Sequence, residues 1–401
     1  MSTLRAMVVL GLLEAFGPLS MDVYMPQLPQ LADGFGISDS LAQATMSVCM
    51  IGLGLGQLVA GPLSDRFGRR RPLVIGVTAF TVFSAVCAIA PTIEILLAAR
   101  LLQGLAGSAG IVISLAVARD MFSGIDLSRM LSMLVIVSGA APVVAPLIGG
   151  QLALIMDWRG IFWVLAGVGV ALVVVAGRAL PETLPAARRH TGGVTQLGEH
   201  VAAVLHDRLF VAVLIAGAAS GVGFFSYLSM SSFVLENEYT LTPQFFSFVF
   251  ALNAVANIGG GQVSRLIVRR MSPRGVYLLG VTATAVATAL FAVLALAGAG
   301  LVGVTLSLVL FMFCAGLSGP NGSTLALAHH GARAGTAAAF MGMAMFTVGA
   351  VVSPLVALAG STSIVMASTM AAASLVAALV AWLAVRPAAR STDVASTVLH
   401  P

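Results

Sequence analysis

Three ionisable residues stand inside long apolar runs, Glu14, Asp22 and Arg100, and they are the residues of this chain best suited to chemistry. A charge held in hydrocarbon costs about 2.5–3.5 kcal/mol on insertion scales, so it normally faces a cavity or a partner. Glu14 and Asp22 are eight residues apart. On an ideal helix their directions differ by about 80°, so both can look into one cavity at different depths. Pro18 lies between them and would bend a helix toward that cavity. A carboxylate in an apolar cavity can take up and release a proton near neutral pH, the chemistry that proton-coupled movement requires. The plainer alternative for Asp22 is a place at the outer end of its run, where an acid costs little. Arg100 is permanently charged. It would either lock helices through backbone carbonyls or tune a nearby carboxylate.

The elements that must position these residues are membrane-crossing helices. Hydrophobic residues make up 59% of the 401 and charged residues 9%, against about a quarter in a soluble protein. Mean hydropathy is +1.03. That composition excludes an ordinary soluble enzyme, a disordered chain and a secreted disulfide scaffold. Twelve apolar windows fall at 6–29, 41–63, 73–92, 95–118, 130–153, 160–178, 209–233, 244–264, 276–298, 301–327, 336–357 and 363–385. Each is long enough to cross a hydrocarbon layer of about 30 Å as a helix. The runs are continuously apolar, so they read as helices that satisfy their own backbone and not as alternating barrel strands. Glu14 interrupts the first run and no clean cleavage site follows, so that run reads as a span and not a removed signal peptide.

All 20 basic residues are arginine. With the N-terminus in the cytoplasm, 18 of the 20 fall in cytoplasmic segments; Arg159 lies outside and Arg100 within a span. Both termini are therefore expected in the cytoplasm, in a multi-pass protein of the cell membrane. The net charge of +5 belongs to this topology and not to nucleic-acid binding. The longest polar segment, 179–208, divides the chain into six-helix bundles at 1–178 and 209–386, with a tail at 387–401. A faint echo links the halves: Gly56-Gln57 precedes the first arginine cluster, and Gly261-Gln262 precedes the cluster from Arg265 to Arg274. Parallel six-helix repeats describe a secondary transporter with its site near mid-membrane. Cys49, Cys87 and Cys314 lie in apolar runs without metal-ligand spacing, and the histidines lie in loops, so neither a metal nor a cofactor is expected. Gly52-x-Gly54-x-Gly56 sits within a span and reads as helix packing, not a dinucleotide loop. No nucleophile–base pair is visible, so the chain does not read as an enzyme.

The segment Gly61-Pro62-Leu63-Ser64-Asp65-Arg66-Phe67-Gly68-Arg69-Arg70-Arg71-Pro72 makes a tight turn between the second and third runs. Gly68 permits an unusual backbone, Asp65 can cap or pair, and the arginines stay at the anionic inner surface. This segment closely resembles the signature loop of the major facilitator superfamily, and the resemblance extends over the whole chain. Arg100-Leu-Leu-Gln103-Gly104 resembles the fourth-helix motif of its proton-coupled members. Gly139-Ala-Ala-Pro142-Val-Val-Ala145-Pro146-Leu-Ile-Gly149-Gly150 resembles the fifth-helix antiporter motif, with Ala145 where the general form has glycine. The two-proline form looks like the Bcr/CflA drug-resistance group. So do Met21-Asp22-Val-Tyr24-Met-Pro26-Gln-Leu-Pro29, Asp157-Trp158-Arg159, Pro181-Glu182-Thr183 and Pro320-Asn321. The Glu14–Asp22 spacing is that of the first-helix acids of MdfA-like multidrug antiporters.

The resemblance implies an all-α integral membrane protein with twelve transmembrane helices in two six-helix bundles around a central cavity. It implies proton-driven export of a small drug-like compound, of the chloramphenicol or bicyclomycin type or a self-made natural product. Proton and drug recognition pass by resemblance to Glu14 and Asp22, and coupling to Arg100. Asp120 would pair with the signature loop, making a gate with Asp65, Arg66, Gly68 and Arg69; Pro142, Pro146 and Gly149 would shape the fifth helix. No interior acid is expected in spans seven to twelve. The remaining drug-binding candidates are Tyr24, Phe224, Tyr227, Asn253, Asn257 and Met345, aromatic and softly polar groups that suit a permissive pocket. The expected partners are the proton, the drug and the lipid bilayer, with the protein a monomer. A proton-coupled importer of a small metabolite is the alternative within the class, and the antiporter-like fifth span argues against it. A non-transporting receptor or scaffold is the alternative of another class, and it would need neither Arg100 nor the two acids.

Overall fold

A computed structural model describes residues 3–185, 189, 204–328 and 334–386. Helices dominate and no strand occurs among the described residues. In chain order they are α1 (Thr3–Asp22), α2 (Leu28–Phe35), α3 (Asp39–Phe67), α4 (Arg70–Ile89), α5 (Ile93–Met121), α6 (Gly124–Leu152) and α7 (Trp158–Ala179). After the central segment come α8 (Arg208–Ser232), α9 (Pro243–Ile267), α10 (Pro273–Leu296), α11 (Gly300–Leu327), α12 (Ala334–Ala357) and α13 (Ser363–Val380). Wide π turns extend α8 over Phe233–Glu238 and α13 over Ala381–Val385. Among the described residues, ten helices are long and apolar enough to cross a membrane, and the bent pair α1–α2 makes an eleventh. The window at 130–153 falls on α6, which is 29 residues long.

Several helices start where a short polar side chain takes up a free backbone N–H group. Ser38 accepts from Leu41 at α3, Asp157 from Gly160 at α7, and Asp207 from Leu209 and Phe210 at α8. Ser272 and Thr362 do the same for α10 and α13. The N-cap position of α4 is Arg69, whose side chain makes no such bond. The window expected as one span over 6–29 is broken: the segments Ala6–Gly17 and Leu19–Phe35 meet at 43°. The physical reason is proline. The bend falls at residue 18, and Pro26 and Pro29 open a 3₁₀ turn and α2, where a missing N–H costs nothing.

The chain divides into two compact units, residues 1–191 with 240–251, and 192–239 with 252–401. In the first, α1 packs on α5 and α6, α3 lies along α5, and α4 sits between α5 and α7. Contact between α3 and α5 is close enough that a Cβ on Gly104 would overlap the Cys49 carbonyl. In the second, α8 packs against α12 and α13, and α10 against α11 and α13. Large apolar side chains such as Ile75, Val302 and Leu383 are exposed, as a lipid-facing surface requires.

Candidate functional site

Arg100 projects from α5 into the interior of the first unit and is 0% exposed. Its Nε donates to the Thr45 carbonyl of α3 at 3.3 Å, and its Nη1 donates to Gln103 Oε1 at 2.6 Å. Gln103 is held in turn: its Nε2 donates to Ser84 Oγ of α4 at 2.8 Å. The guanidinium carbon lies 4.6 Å from the Tyr24 ring centroid and 5.4 Å from that of Phe162. Tyr24 is fixed by a 2.9 Å hydrogen bond between its hydroxyl and Thr45 Oγ1. Nη2 is buried and has no hydrogen-bond partner among the described residues. The charge is thus balanced by neutral acceptors and two aromatic faces. Of the two sequence alternatives, the lock through a carbonyl is present, and Arg100 forms no ion pair with a carboxylate among the described residues. Tyr24, expected against a drug, lies under this guanidinium and is fully buried.

Glu14 and Asp22 are both on α1 and both 7% exposed. Glu14 precedes the bend and Asp22 is the last residue of the helix. The helix-end place for Asp22 is therefore real, but it is a buried end. A Cβ on Gly149 would overlap the Val23 carbonyl, so α6 lies directly against this end of α1. Pro146, three residues before Gly149 on α6, is buried. The side chain of Pro142 lies outside the described residues.

A second charged group forms around the signature loop. Gly68 turns the chain with φ of +88°, where a side chain is strained. Arg69 then points inward: its Nε donates to Asp120 Oδ2 at 2.9 Å, and its Nη1 donates to Asp65 Oδ1 at 2.5 Å and Ser64 Oγ at 2.8 Å. Burial opposes the arginine's charge, but the hydrogen bonds to Asp120 and Asp65 outweigh it and raise the guanidinium above its ordinary pKa. Arg66 is exposed, lies over its neighbour Phe67 and takes no part. Asp65 pairs and does not cap. The cap of α4 comes from Glu182, whose role the sequence did not disclose. Its carboxylate accepts from the Arg69 N–H at 2.7 Å and the Arg70 N–H at 3.3 Å. Thr183 Oγ1 donates to Asp120 Oδ2 at 3.1 Å, so the Pro181-Glu182-Thr183 segment closes the cluster.

Partial burial alone would raise the Glu182 pKa, but the N–H groups of Arg69, Leu184 and Arg70 and the Arg189 charge hold it below the ordinary carboxylate value. A carboxyl depressed in the folded state stabilises it above the unfolded pKa of about 4.3, and that stability is lost as pH falls through the folded value. Thermal melts of the wild type and Glu182→Gln should therefore differ near pH 7 and converge below about pH 4. Curves equally separated at both pH values would remove the charge from the argument.

In the second unit, Tyr227 is buried and accepts at its hydroxyl from Asn253 Nδ2 at 3.2 Å. Its ring centroid lies 6.3 Å from that of Phe311 and 6.4 Å from that of Phe224. Asn253 Oδ1 is buried without a partner among the described residues. Asn257 is occupied otherwise: its Nδ2 donates to the Met312 carbonyl at 3.1 Å and ties α9 to α11. The side chain of Met345 lies outside the described residues. The expectation of no acid in the later spans needs correction. The seventh apolar window closes at 233, but the backbone continues helically through the π turn, and the crossing segment runs Arg208–Glu238. Glu236 is half-buried there. Glu238 accepts from the Ser363 N–H and hydroxyl, each at 2.6 Å, and so caps α13. The signal was only that Val234 and Leu235 carry the apolar run up to these acids. No group of three or more metal-ligating side chains occurs among the described residues.

Long apolar helices, buried charges and a charged loop at the helix ends define a polytopic membrane protein. The Major Facilitator Superfamily profile matches residues 10–354, and the chain belongs to that superfamily. It is 35% identical to the uncharacterized MFS-type transporter YdgK of Bacillus subtilis, over 92% of this chain and 93% of the relative. It is 26% identical to the bicyclomycin resistance protein homolog of Haemophilus influenzae, over 89% of each. It is 28% identical to the multidrug resistance protein MdtL of Klebsiella pneumoniae, over 92% of this chain and 93% of the relative. Among solved structures, the D-xylose-proton symporter superposes with a TM-score of 0.74 at 16% identity, covering 96% of this chain and 97% of the symporter. A bacterial homolog of the human lysosomal transporter Spinster gives 0.75 at 14% identity, covering 95% and 96%. These likenesses establish the fold.

Proposed function

We propose that this chain exports small drug-like compounds in exchange for protons, by alternating access. The observation that carries the reading is one unit holding two buried acids on α1, Glu14 and Asp22, together with a caged arginine that no described carboxylate neutralises. Acids are kept at membrane depth, against their cost, where gaining and losing a proton does work. Relatives named for bicyclomycin and multidrug resistance support export and the drug class. Inward proton movement supplies about 1.4 kcal/mol per pH unit and about 2.3 kcal/mol per charge per 100 mV. Protonation of Asp22, with Glu14, weakens drug binding. Arg100 couples that event to the helices through Tyr24 and Thr45. Phe224, Tyr227, Asn253 and Met345 contact the compound, while Asn257 serves packing. The Asp65–Arg69–Asp120 cluster, with Gly68, is the gate. The bundles at 1–178 and 209–386 are the moving bodies of a monomer with both termini in the cytoplasm.

Uptake into inside-out vesicles with an imposed pH gradient, using labelled chloramphenicol and a panel of neutral and cationic drugs, tests this reading. Accumulation should collapse with an uncoupler and fall at least about tenfold in Asp22→Asn, the equivalent of 1.4 kcal/mol. Undiminished export by Asp22→Asn, Glu14→Gln and the double variant would sink the coupling assignment. Gradient-driven flux in the other direction would favour an importer.

A further inference from the structure

The second unit carries a lipid-facing groove outside all the machinery described above. Its floor and walls come from Thr282, Ala285 and Ala289 on α10 and Ala378, Leu379 and Trp382 on α13, enclosing about 360 Å³. Each set follows helical spacing, so each forms one face, and the groove runs about 10 Å along both helices. Alanines form a floor between larger neighbours. Val286 and Leu375 on the rim are 64% and 56% exposed, so the groove opens outward on an apolar surface. One end is different. There Trp382 Nε1 donates to Thr282 Oγ1 at 2.9 Å, pinning the indole across the two helices. Arg386, one turn beyond, lays its guanidinium over that indole at 4.7 Å from the ring centroid. Arg386 is exposed and forms no ion pair among the described residues. An amphipathic indole with a cation above it marks a membrane–water boundary.

We propose that this groove binds one acyl chain of an anionic phospholipid, with the headgroup phosphate on Arg386. The apolar length takes the chain, and the stacked guanidinium keeps its edge N–H groups available for bidentate phosphate contact. A zwitterionic headgroup would bring its own cation against Arg386, so the site selects net negative charge. The stacking on Trp382 fixes the guanidinium at the groove's mouth instead of leaving it free in solvent.

The test uses Trp382 as the reporter, in full-length protein with Trp158→Phe and Trp163→Phe. It is reconstituted in phosphatidylcholine vesicles with a minor fraction of chain-brominated phosphatidylglycerol or chain-brominated phosphatidylcholine. Quenching by the brominated anionic lipid should show about a fivefold preference in occupancy, the worth of one arginine at an anionic surface. Arg386→Gln should abolish the preference, and Ala285→Leu with Ala378→Leu should reduce quenching by both lipids. Equal quenching by the two lipids, or a preference that survives Arg386→Gln, would overturn the site and leave ordinary annular contact. Native mass spectrometry of the unsubstituted protein gives an independent reading. Retained phosphatidylglycerol adducts should disappear in Arg386→Gln, and adducts of unchanged number would also overturn the proposal.

Discussion

Arg100→Met is expected to abolish gradient-driven transport while raising the melting temperature of the solubilised protein. Arg100 is fully buried, and its charge meets a carbonyl, an amide oxygen and two ring faces. Taking a cation out of water costs several kcal/mol. Cation–π contacts of about 2 kcal/mol when desolvated and two hydrogen bonds return only part of that, and Nη2 makes no hydrogen bond to the described residues. Methionine is long, flexible and favourable against Tyr24 and Phe162. Replacing a buried ion pair with well-packed apolar side chains is often neutral or stabilising by about 1–4 kcal/mol, and Arg100 has no ion-paired carboxylate among the described residues that its removal would strand. The low end is expected here, because Gln103 Oε1 keeps only the long 3.9 Å contact from Cys87 Sγ. Arg100→Lys should not restore transport, since a compact ammonium cannot lie between two rings and reach two acceptors at once. Thermal melts and vesicle uptake on the same preparations decide the matter. A lower melting temperature, with transport falling only in proportion to folded protein, would make Arg100 a structural pin and leave coupling to the acids alone.

The sequence exposes the helices because lipid makes the requirement simple: a crossing segment must be apolar for about 20 residues and hydrogen-bond to itself. It conceals the exceptions. The first window reads as continuous because Phe16 before the break and Leu19, Met21, Val23 and Met25 after it are all apolar, although prolines at 18, 26 and 29 already interrupt the N–H ladder. The seventh window closes too early because hydropathy drops at Glu236, while the backbone needs no apolar side chain to make a further π turn.

The candidate site divides in the same way. Asp65 and Arg69 are four residues apart across the turn at Gly68, so their pairing is a local contact. Asp120 at the end of α5 was reachable only through the resemblance. The Glu182 cap was not legible, because a carboxylate that serves the start of a helix 112 positions earlier leaves no spacing to read. The burial of Tyr24 is illegible for a related reason. An aromatic residue just after a span can face a cavity or tuck inward, and here the turn at Met25–Gln27 carries it beneath Arg100. Asn253 and Asn257 share a helix and a residue type, yet only Asn257 is spent on a neighbouring carbonyl.

Removing Arg69 should have the second large effect, on stability and on transport together. In Arg69→Ala, Asp65 and Asp120 lose the cation between them, and Ser64 loses its donor. Breaking a buried ion pair by deleting one partner costs about 3–5 kcal/mol. Asp65 is 52% exposed in its side chain and water relieves it, while Asp120 at 19% is relieved less. The expected loss is therefore near the low end, about 3 kcal/mol. Glu182 still accepts from the backbone N–H of residue 69, so α4 keeps its cap and the damage stays at the side-chain cluster. Arg69→Lys should recover part of the loss, because one ammonium cannot bridge Asp120 and Asp65 with the planar fork of arginine. Adding Asp120→Asn to Arg69→Ala removes the second charge from the site and should restore about 1 kcal/mol, a coupling that a double-mutant cycle of thermal or denaturant melts would read. Transport should follow the cycle, falling about tenfold in Arg69→Ala, the equivalent of 1.4 kcal/mol in the transition state, and recovering in part in the double variant. Strictly additive losses would mean that Arg69 and Asp120 act separately, and the loop's charges would then be anchors at the membrane surface and no gate.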